Sequence, residues 1–234
     1  MRAIDVMTPN VITVDPDTSV QGLATLLSER GISGAPVVDS NGRMIGIVSE
    51  GDLLHRTELG TERHGERRQS WWLDHFASGE AREYVKSHGR TVNDIMTRDV
   101  VTVTEETNLA DVATLLETNR VKRVPVIRDG KVVGIISRAN LVRALSATMA
   151  TPPAGAGEDD RAIRTRLLAE LAKQPWAARV WAQDILVSGG IVHLWFGSDE
   201  PEERRQAVRV AAENVPGVRG VEERVVPIPL MPVF

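Results

Sequence analysis

Two short motifs in this chain carry side chains that could bind a sugar or a phosphate. They are Ser49–Asp52 (SEGD), which follows an apolar run at residues 46–48, and Ser137–Asn140 (SRAN), which follows a similar run at residues 134–136. Each motif places a hydroxyl where a strand is expected to enter a helix, and the free N–H groups of a helix start attract anions. The carboxylate of Asp52 could also accept two hydrogen bonds from a ribose diol. Because Ser-x-x-Asp is also the signature of a helix capping box, the spacing alone favours capping.

The two motifs belong to an internal repeat that organises the first two thirds of the chain. The offset is 88 residues at the motifs themselves, because the turn at 39–42 (DSNG) is shortened to Asp129–Gly130 in the second copy. A deletion at a hairpin tip is well tolerated. Upstream of that turn, four segments recur 89 residues later: 5–8 (DVMT) as 94–97 (DIMT), 11–14 (VITV) as 100–103 (VVTV), 24–27 (ATLL) unchanged as 113–116, and 35–38 (APVV) as 124–127 (VPVI).

Each copy is predicted to fold as β-α-β-β-α. In the first copy we expect a strand at Val11–Val14 and a helix start at Asp15–Thr18, followed by an apolar stripe at helical spacing. Two β-branched runs, Pro36–Val38 and Met44–Val48, flank an Asn-Gly turn and predict a hairpin, and a second helix begins near Ser49. One copy is too short to bury a generous core, so we expect the two copies to pack as a pair.

The remaining segments separate or follow the two copies. We expect a helical insert at 57–90 between repeat one (1–56) and repeat two (91–147), then a linker at 148–158 that is rich in proline and glycine. Residues 159–226 predict a small domain, followed by a tail at 227–234. The elements of that domain are a helix at Asp160–Ala172, strands at Trp181–Val187 and Ile191–Phe196, a helix from Pro201 to about Asn214, and a strand at Val221–Val226.

Composition and charge argue against several classes of protein. The net charge of −4 disfavours a basic footprint for nucleic acid, so no nucleic-acid partner is expected. The absence of cysteine excludes disulfides and thiol catalysis. No apolar run approaches the ~20 residues that cross a bilayer. An acid at the fifth position argues against a secretory signal, and we expect a cytoplasmic protein.

No enzyme and no metal site are predicted. The chain has no P-loop, G-x-G-x-x-G, G-x-S-x-G or His-Glu-x-x-His motif, and therefore no obvious nucleophile and base. The histidines of the insert have irregular spacing, without the close helical pairs that metal sites favour, and are expected on the surface. These histidines are His55, His64, His75 and His88.

The duplicated motifs resemble a tandem pair of CBS domains, a Bateman module. The resemblance rests on Thr13-Val14, Ala35–Asp39 (APVVD) and Gly46–Asp52 (GIVSEGD), duplicated in order, and covers about Arg2 to Ala147 apart from the insert. It implies an α+β fold of two β-α-β-β-α units packed as a pseudo-twofold pair, which commonly forms a homodimer. It also implies clefts that take an adenosine-containing ligand such as AMP or ATP, with no other cofactor.

The resemblance further implies a set of ligand-binding residues. Asp52 stands where the family has its ribose-binding acid and Ser49 where a hydroxyl faces ribose or phosphate. All nine aromatic residues lie outside the two copies, so adenine would rest between aliphatic walls. The implied residues are Ile12, Thr13, Gly34, Ala35, Pro36, Ser49 and Asp52 in or near the first copy's motifs, and Val101, Thr102, Lys122, Arg123, Val124, Pro125, Ser137, Arg138 and Asn140 in the second.

The two copies differ in charge. Asp52 of the first copy is replaced by Asn140, which has one acceptor oxygen rather than two, so the first copy should hold ribose better. The second copy gains three cations, Lys122, Arg123 and Arg138, which favour phosphate because clustered cations focus anions. The alternative is that these cations are a solvated surface.

The C-terminal domain resembles a BON domain. The resemblance rests on Val187–Trp195 (VSGGIVHLW), Glu202–Arg205 (EERR) and Val215–Val221 (VPGVRGV), although the family's glycine after the second strand is displaced to Gly197. BON domains are associated with phospholipid membranes. Ten basic and eleven acidic residues in this domain give little attraction to anionic lipid, so a protein contact or intramolecular regulation is favoured over lipid.

Two functions remain open from the sequence. The favoured one is a regulatory adenine-nucleotide sensor whose occupancy changes how the C-terminal domain or a partner docks. The alternative is a non-catalytic structural or membrane-peripheral adaptor whose CBS clefts are empty and which acts through the BON-like domain.

Overall fold

The computed structural model describes residues 1–54, 84–150, 158–177, 180 and 182–227. Most of the predicted insert at 57–90, including His64 and His75, lies outside the described residues, as do most of the predicted linker at 148–158 and of the tail at 227–234. Residues 84–88, at the end of the insert, are helical.

Both copies contain the predicted long helix, hairpin and second helix. A short leading segment precedes them, formed by residues 3–9 in the first copy and 92–97 in the second. In the first copy the elements are α1 (Ala3–Val6), β1 (Thr8–Pro9), α2 (Val20–Arg30), β2 (Gly34–Val38), β3 (Met44–Ser49) and α3 (Glu50–Leu53). In the second copy they are α4 (Val92–Ile95), α5 (Leu109–Thr118), β4 (Arg123–Arg128), β5 (Lys131–Ser137) and α6 (Arg138–Ala150).

The predicted hairpins are confirmed, and their turns explain why they form. Gly42 has φ 74° in the first turn, and Asp129 and Gly130 have φ 52° and 80° in the second. These left-handed conformations match the right-handed twist of the strands that they join, and glycine adopts them without strain.

The start of the first copy differs from the prediction. The strand expected at Val11–Val14 is reduced to a single parallel bridge from Val14 to Val37. The helix begins after Ser19, whose hydroxyl accepts the Gly22 N–H at 3.0 Å, and not at Asp15–Thr18. Asp15 instead closes a turn, because its carboxylate accepts the Asp17 N–H at 2.8 Å and its carbonyl accepts the Thr18 N–H at 3.1 Å.

The leading segment of each copy pairs with the hairpin of the other copy. Thr8 and Pro9 of β1 pair antiparallel with Ile135 and Gly134 of β5. At the equivalent position, Thr97 and Ile47 of β3 exchange two backbone hydrogen bonds of 2.9 Å. The three-stranded sheet of the second copy therefore has the order β1-β5-β4.

This exchange explains how the chain divides into two compact units. One unit contains Met1–Pro9, Thr102–Val126 and the described residues from Gly134 onward, and the other contains the described residues of Asn10–Val101 together with Ile127–Val133. Each unit thus combines one copy's hairpin motif with the other copy's leading segment. In the second unit, the core joins Leu23 and Leu27 of α2 to Val92 and Ile95 of α4.

The C-terminal domain has the predicted α-β-β-α-β order. Its elements are α7 (Glu158–Leu171), β6 (Ile185–Ser188), β7 (Ile191–Gly197), α8 (Glu202–Glu213) and β8 (Gly220–Val226), with 3₁₀ turns at Pro175–Ala177 and Ala182–Asp184. The second turn occupies part of the strand predicted from Trp181. In the sheet, β7 lies between an antiparallel β6 and a parallel β8.

One face of this sheet forms a core with the two helices. Alternate residues of β7, namely Val192, Leu194 and Phe196, are buried in a cluster that includes Leu167 of α7 and Val208 of α8. The period of two along the strand places these side chains on one face. The turn between β6 and β7 is held by Asp160 of α7, whose carboxylate accepts the N–H groups of Gly189 and Gly190 at 2.8 and 2.7 Å.

We expect Gly46→Ala to lower the free energy of unfolding by about 1–3 kcal/mol, a typical cost of overpacking. An added Cβ would lie 2.9 Å from the Thr97 carbonyl oxygen and 2.7 Å from the Met96 sulfur. Urea denaturation would measure this cost. Gly51→Ala is the control, because its Cβ would meet only Ser49 Oγ at 3.5 Å. An equal effect of the two substitutions would contradict the close approach of the leading segment.

Candidate functional site

The first motif forms a capping box at the junction of β3 and α3. One carboxylate oxygen of Asp52, Oδ2, accepts the Ser49 N–H at 2.9 Å and the Ser49 hydroxyl at 3.2 Å. The capping that the spacing favours is therefore present. The capping box engages carboxylate oxygen Oδ2, and 13% of the Asp52 side chain is exposed.

The second oxygen of Asp52 is paired with a lysine. Lys86 Nζ lies 2.9 Å from Asp52 Oδ1, and a third of the lysine side chain (33%) is exposed. Lys86 belongs to the helical residues at 84–88, at the end of the insert. Lys86 is absent from the residues predicted from the sequence motifs. Its spacing to the motif carries no signal, because 34 residues separate it from Asp52.

The second motif has the same capping contacts but a different outer partner. Asn140 Oδ1 accepts the Ser137 N–H at 2.9 Å and the Ser137 hydroxyl at 2.7 Å. Asn140 Nδ2 donates to the carbonyl oxygen of Val6 at 2.9 Å, and only 3% of Asn140 is exposed. An amide has donors that a carboxylate lacks, so Asn140 binds the backbone of the leading segment where Asp52 binds a cation.

The predicted apolar wall of the first copy lies beside its motif. Gly34 of β2 pairs with Ser49, and Ala35 and Pro36 follow it in the strand, all three of them buried. Ile12 and Thr13 lead into Val14, whose N–H donates to the Pro36 carbonyl at 3.0 Å. The structure therefore brings these predicted residues to neighbouring chain segments.

The second copy repeats this arrangement. Val101 and Thr102 lead into Val103, whose N–H donates to the Pro125 carbonyl at 3.0 Å. Val124 and Pro125 are buried in β4.

The three predicted cations of the second copy stand at the ends of its elements. Lys122 precedes β4 and is exposed, Arg123 begins β4 and is half-buried, and Arg138 begins α6 and is exposed. Arg123 and Ser137 are the counterparts of Gly34 and Ser49, which pair directly in the first hairpin. The motif of the second copy thus combines a neutral amide with basic side chains.

The described residues offer no other chemistry of this kind. No group of histidine and carboxylate side chains in the described ranges could hold a metal ion. Of the insert's histidines, His88 is described, and it stacks on Tyr84 with ring centroids 4.0 Å apart. His55, His64 and His75 lie outside the described residues.

No helix in the described part of the chain is both long and apolar enough to cross a bilayer.

Asn140→Ala should lower the free energy of unfolding by about 1–3 kcal/mol more than Asp52→Ala does. Both substitutions remove the same contacts to a serine, but only the first leaves a buried carbonyl, that of Val6, without its donor. Asp52→Ala removes one contact of Lys86, whose side chain is already one-third exposed. Chemical denaturation of the two variants gives the difference, and equal costs would show that the bond to Val6 contributes nothing.

Comparison with known proteins identifies the duplicated unit. The family model described as "CBS domain" matches residues 3–58 and 92–147. The chloroplastic CBS domain-containing protein CBSX2 of Arabidopsis thaliana is 36% identical over 149 residues, which cover 60% of this chain and 61% of that protein. An uncharacterised protein of Methanocaldococcus jannaschii is 30% identical over 148 residues, which cover 57% of this chain and 85% of that protein.

The fold of the repeats also matches a solved structure. The crystal structure of CBSX2 in complex with AMP is 36% identical and covers 62% of this chain and 97% of its own, with a TM-score of 0.56. The chain spans about three fifths of the length of the curated relatives that it matches first. The C-terminal domain lies outside the two matched segments.

Proposed function

We propose that this chain, which belongs to the CBS domain family, is a regulatory protein whose paired domains bind an adenine nucleotide. The observation that carries the proposal is Asp52. Its carboxylate lies at the end of the first hairpin, beside the buried residues Gly34–Pro36. Oδ2 takes part in the capping box, and Oδ1 pairs, among the described residues, with the partly exposed Lys86. A ribose diol is the kind of donor pair that such an oxygen can accept. The related CBSX2 binds AMP in its crystal structure.

The first site consists of the predicted residues around Ser49 and Asp52, and the chemistry of each side chain determines which ligand group it binds. Asp52 and Ser49 receive the ribose hydroxyls, and the adenine ring lies against Ile12 and Pro36, since neither copy offers an aromatic ring on which to stack. Lys86 supplies a positive charge beside Asp52, where this copy has no counterpart of Arg123 or Arg138. It neutralises Asp52 and stands within reach of a ligand phosphate.

In the second site, the balance of charge favours the phosphates. Asn140 carries no charge, and Lys122, Arg123 and Arg138 flank the motif at the starts of β4 and α6. Clustered cations attract di- and triphosphates more than they attract a nucleoside. The aliphatic residues Val101, Val124 and Pro125 form the counterpart of the first adenine wall, and Thr102 and Ser137 supply hydroxyls.

The repeats also present apolar residues that suit a second copy of the chain. Val142 and Leu145 stand three residues apart on α6 and are both exposed. Leu54, 88 residues before Val142, is exposed as well. Matching exposed residues in the two repeats support a homodimer formed through these helices.

A second candidate function is a non-catalytic adaptor that acts through the C-terminal domain. The observation in its favour is the α-β-β-α-β order with a parallel β7–β8 pair, which fits the BON-like motifs of the sequence. Its partner would be a protein or a phospholipid surface. An adaptor of this kind requires no nucleotide.

Calorimetry and thermal unfolding with AMP, ADP, ATP and adenosine test the proposal. At one hundred times its Kd, a ligand of the folded state should stabilise the chain by about 2.7 kcal/mol. Asp52→Ala should remove binding at the first site, while Asp99→Ala, which changes an exposed acid of the same unit, should leave it unchanged. The absence of any response to all four ligands would overturn the nucleotide proposal and favour the adaptor.

Lys86→Met should lower the ratio of AMP affinity to adenosine affinity at the first site by about tenfold, because a charge-assisted contact is lost. Without the lysine, Asp52 keeps an uncompensated charge that repels phosphate but still accepts ribose hydroxyls. Titrations of both ligands into the variant and the wild type give the ratio. A proportional change in both affinities would show that the lysine is only a structural partner of Asp52.

A further inference from the structure

Three consecutive residues near the N-terminus are held by two different parts of the chain. The Asp5 carboxylate accepts from Arg161 Nε at 2.8 Å, and the Met7 carbonyl accepts from Arg164 Nη2 at 3.0 Å. Both arginines belong to α7 of the C-terminal domain. Between them, the Val6 carbonyl accepts from Asn140 of the second nucleotide motif. The leading segment thus joins this motif to the C-terminal domain.

Arg164 connects Met7 to two further segments of the C-terminal domain. Its guanidinium, in a residue only 7% exposed, also donates to the carbonyl oxygens of Ile185 and Ala182, both at 2.8 Å. Burial lowers the pKa of Arg164 to about 10, and the Asp5 carboxylate opposes this shift, so the side chain is charged at neutral pH. A buried cation with these carbonyl acceptors is costly to release, because its charge would then be buried without partners.

The helix that Asn140 helps to begin completes the attachment. Arg143 of α6 forms an ion pair with Asp184 at 2.7 Å, and Ser146 of α6 contacts Arg224 of β8. Burial raises the pKa of Asp184 to about 6, against the opposing effect of Arg143. The C-terminal domain is therefore attached to α6 and to residues 5–7, and Asn140, a residue of α6, binds Val6 between them.

We propose that Asn140 couples occupancy of the second nucleotide site to the attachment of the C-terminal domain. This inference rests on the proposed function. The Asn140 amide is fully occupied: Oδ1 accepts two hydrogen bonds from Ser137, and Nδ2 donates to the Val6 carbonyl and lies 3.5 Å from Thr8 Oγ1. A ribose hydroxyl can therefore gain a strong contact with this side chain only if the amide turns. Turning the amide withdraws Nδ2 from the Val6 carbonyl. The leading segment then moves, and with it the acceptors that Asp5 and Met7 offer to Arg161 and Arg164.

The first repeat provides an internal comparison. Asp52 has no N–H donor, and its outer oxygen binds Lys86 and not a backbone carbonyl. A ligand at the first site therefore displaces no contact of this kind. Coupling is expected from the second site only.

Hydrogen exchange of the full chain, with and without AMP, tests the coupling. Saturating AMP should accelerate exchange at residues 3–9 and at Ile185–Ser188 about tenfold, as expected for a coupling in the usual range. Asn140→Asp removes the donor to Val6 but keeps the oxygen that caps Ser137. In this variant the same amides should exchange quickly without AMP, and AMP should accelerate them no further.

Asp52→Asn is the matched control in the first repeat, and it should leave exchange in the C-terminal domain at the wild-type rate. If AMP binds by calorimetry to the Asp52→Ala variant, which keeps only the second site, but exchange at residues 3–9 of that variant does not change, the coupling is overturned and the nucleotide proposal stands. Unchanged exchange in Asn140→Asp overturns the coupling whether or not AMP binds. No binding of AMP to the wild type overturns the proposed function itself.

Reciprocity separates coupling from a purely structural joint. If AMP binding weakens the attachment of the C-terminal domain, a substitution outside the nucleotide motif that weakens the attachment must raise the affinity for AMP. The increase can reach the factor by which AMP itself weakens the attachment. Asp184→Asn weakens the ion pair with Arg143 without touching the nucleotide motif. We expect its affinity for AMP at the second site to rise about fivefold or more. Unchanged affinity, in a variant shown by circular dichroism to be folded, would overturn the proposal.

Discussion

The leading segment of each repeat packs on the hairpin of the other, and the rest of the structure depends on this exchange. It requires close approach, since Gly134 would place a Cβ only 2.9 Å from Met7 Cγ, and Gly46 meets the backbone of Thr97 in the same way. A side chain at either glycine would push the segment away. Because each compact unit needs residues from both copies, neither repeat completes its own core. The exchange also brings each capping motif next to a segment that its own repeat does not supply.

This neighbour makes the two motifs unequal. Both motifs cap a helix start with the same serine contacts, so the difference lies in the remaining atoms of Asp52 and Asn140. The amide has N–H groups and meets a backbone carbonyl, that of Val6, whereas the carboxylate has only acceptors and meets the ammonium group of Lys86. The hydrogen bond from Asn140 to the buried Val6 carbonyl connects two distant segments of the chain. The ion pair with Lys86, whose side chain is one-third exposed, is partly screened by water and contributes less.

Local features of the structure could be predicted from the sequence, and the pairing of distant segments could not. The hairpins follow from their turns, since Gly42 in the first turn and Asp129-Gly130 in the second favour the left-handed conformations required there. The helix start was misplaced by one turn because Asp15 and Ser19 are both good capping residues, and only the structure shows that Asp15 closes a turn. The repeat reveals that two units are alike but not which leading segment pairs with which hairpin. The partner of Asn140 is a backbone carbonyl, which leaves no mark on the side-chain pattern.

The substitution of Asp by Asn in the second motif then has a structural explanation. A carboxylate at position 140 would direct an oxygen at the Val6 carbonyl, and two acceptors facing each other in a buried place repel. Position 140 needs a hydrogen-bond donor for the Val6 carbonyl, because residues 5–7 bind the C-terminal domain through Arg161 and Arg164. The first repeat has no such attachment on its counterpart segment among the described residues, so position 52 is free to be acidic. The location of the C-terminal domain on one repeat is therefore sufficient to explain why the two capping motifs differ at this position.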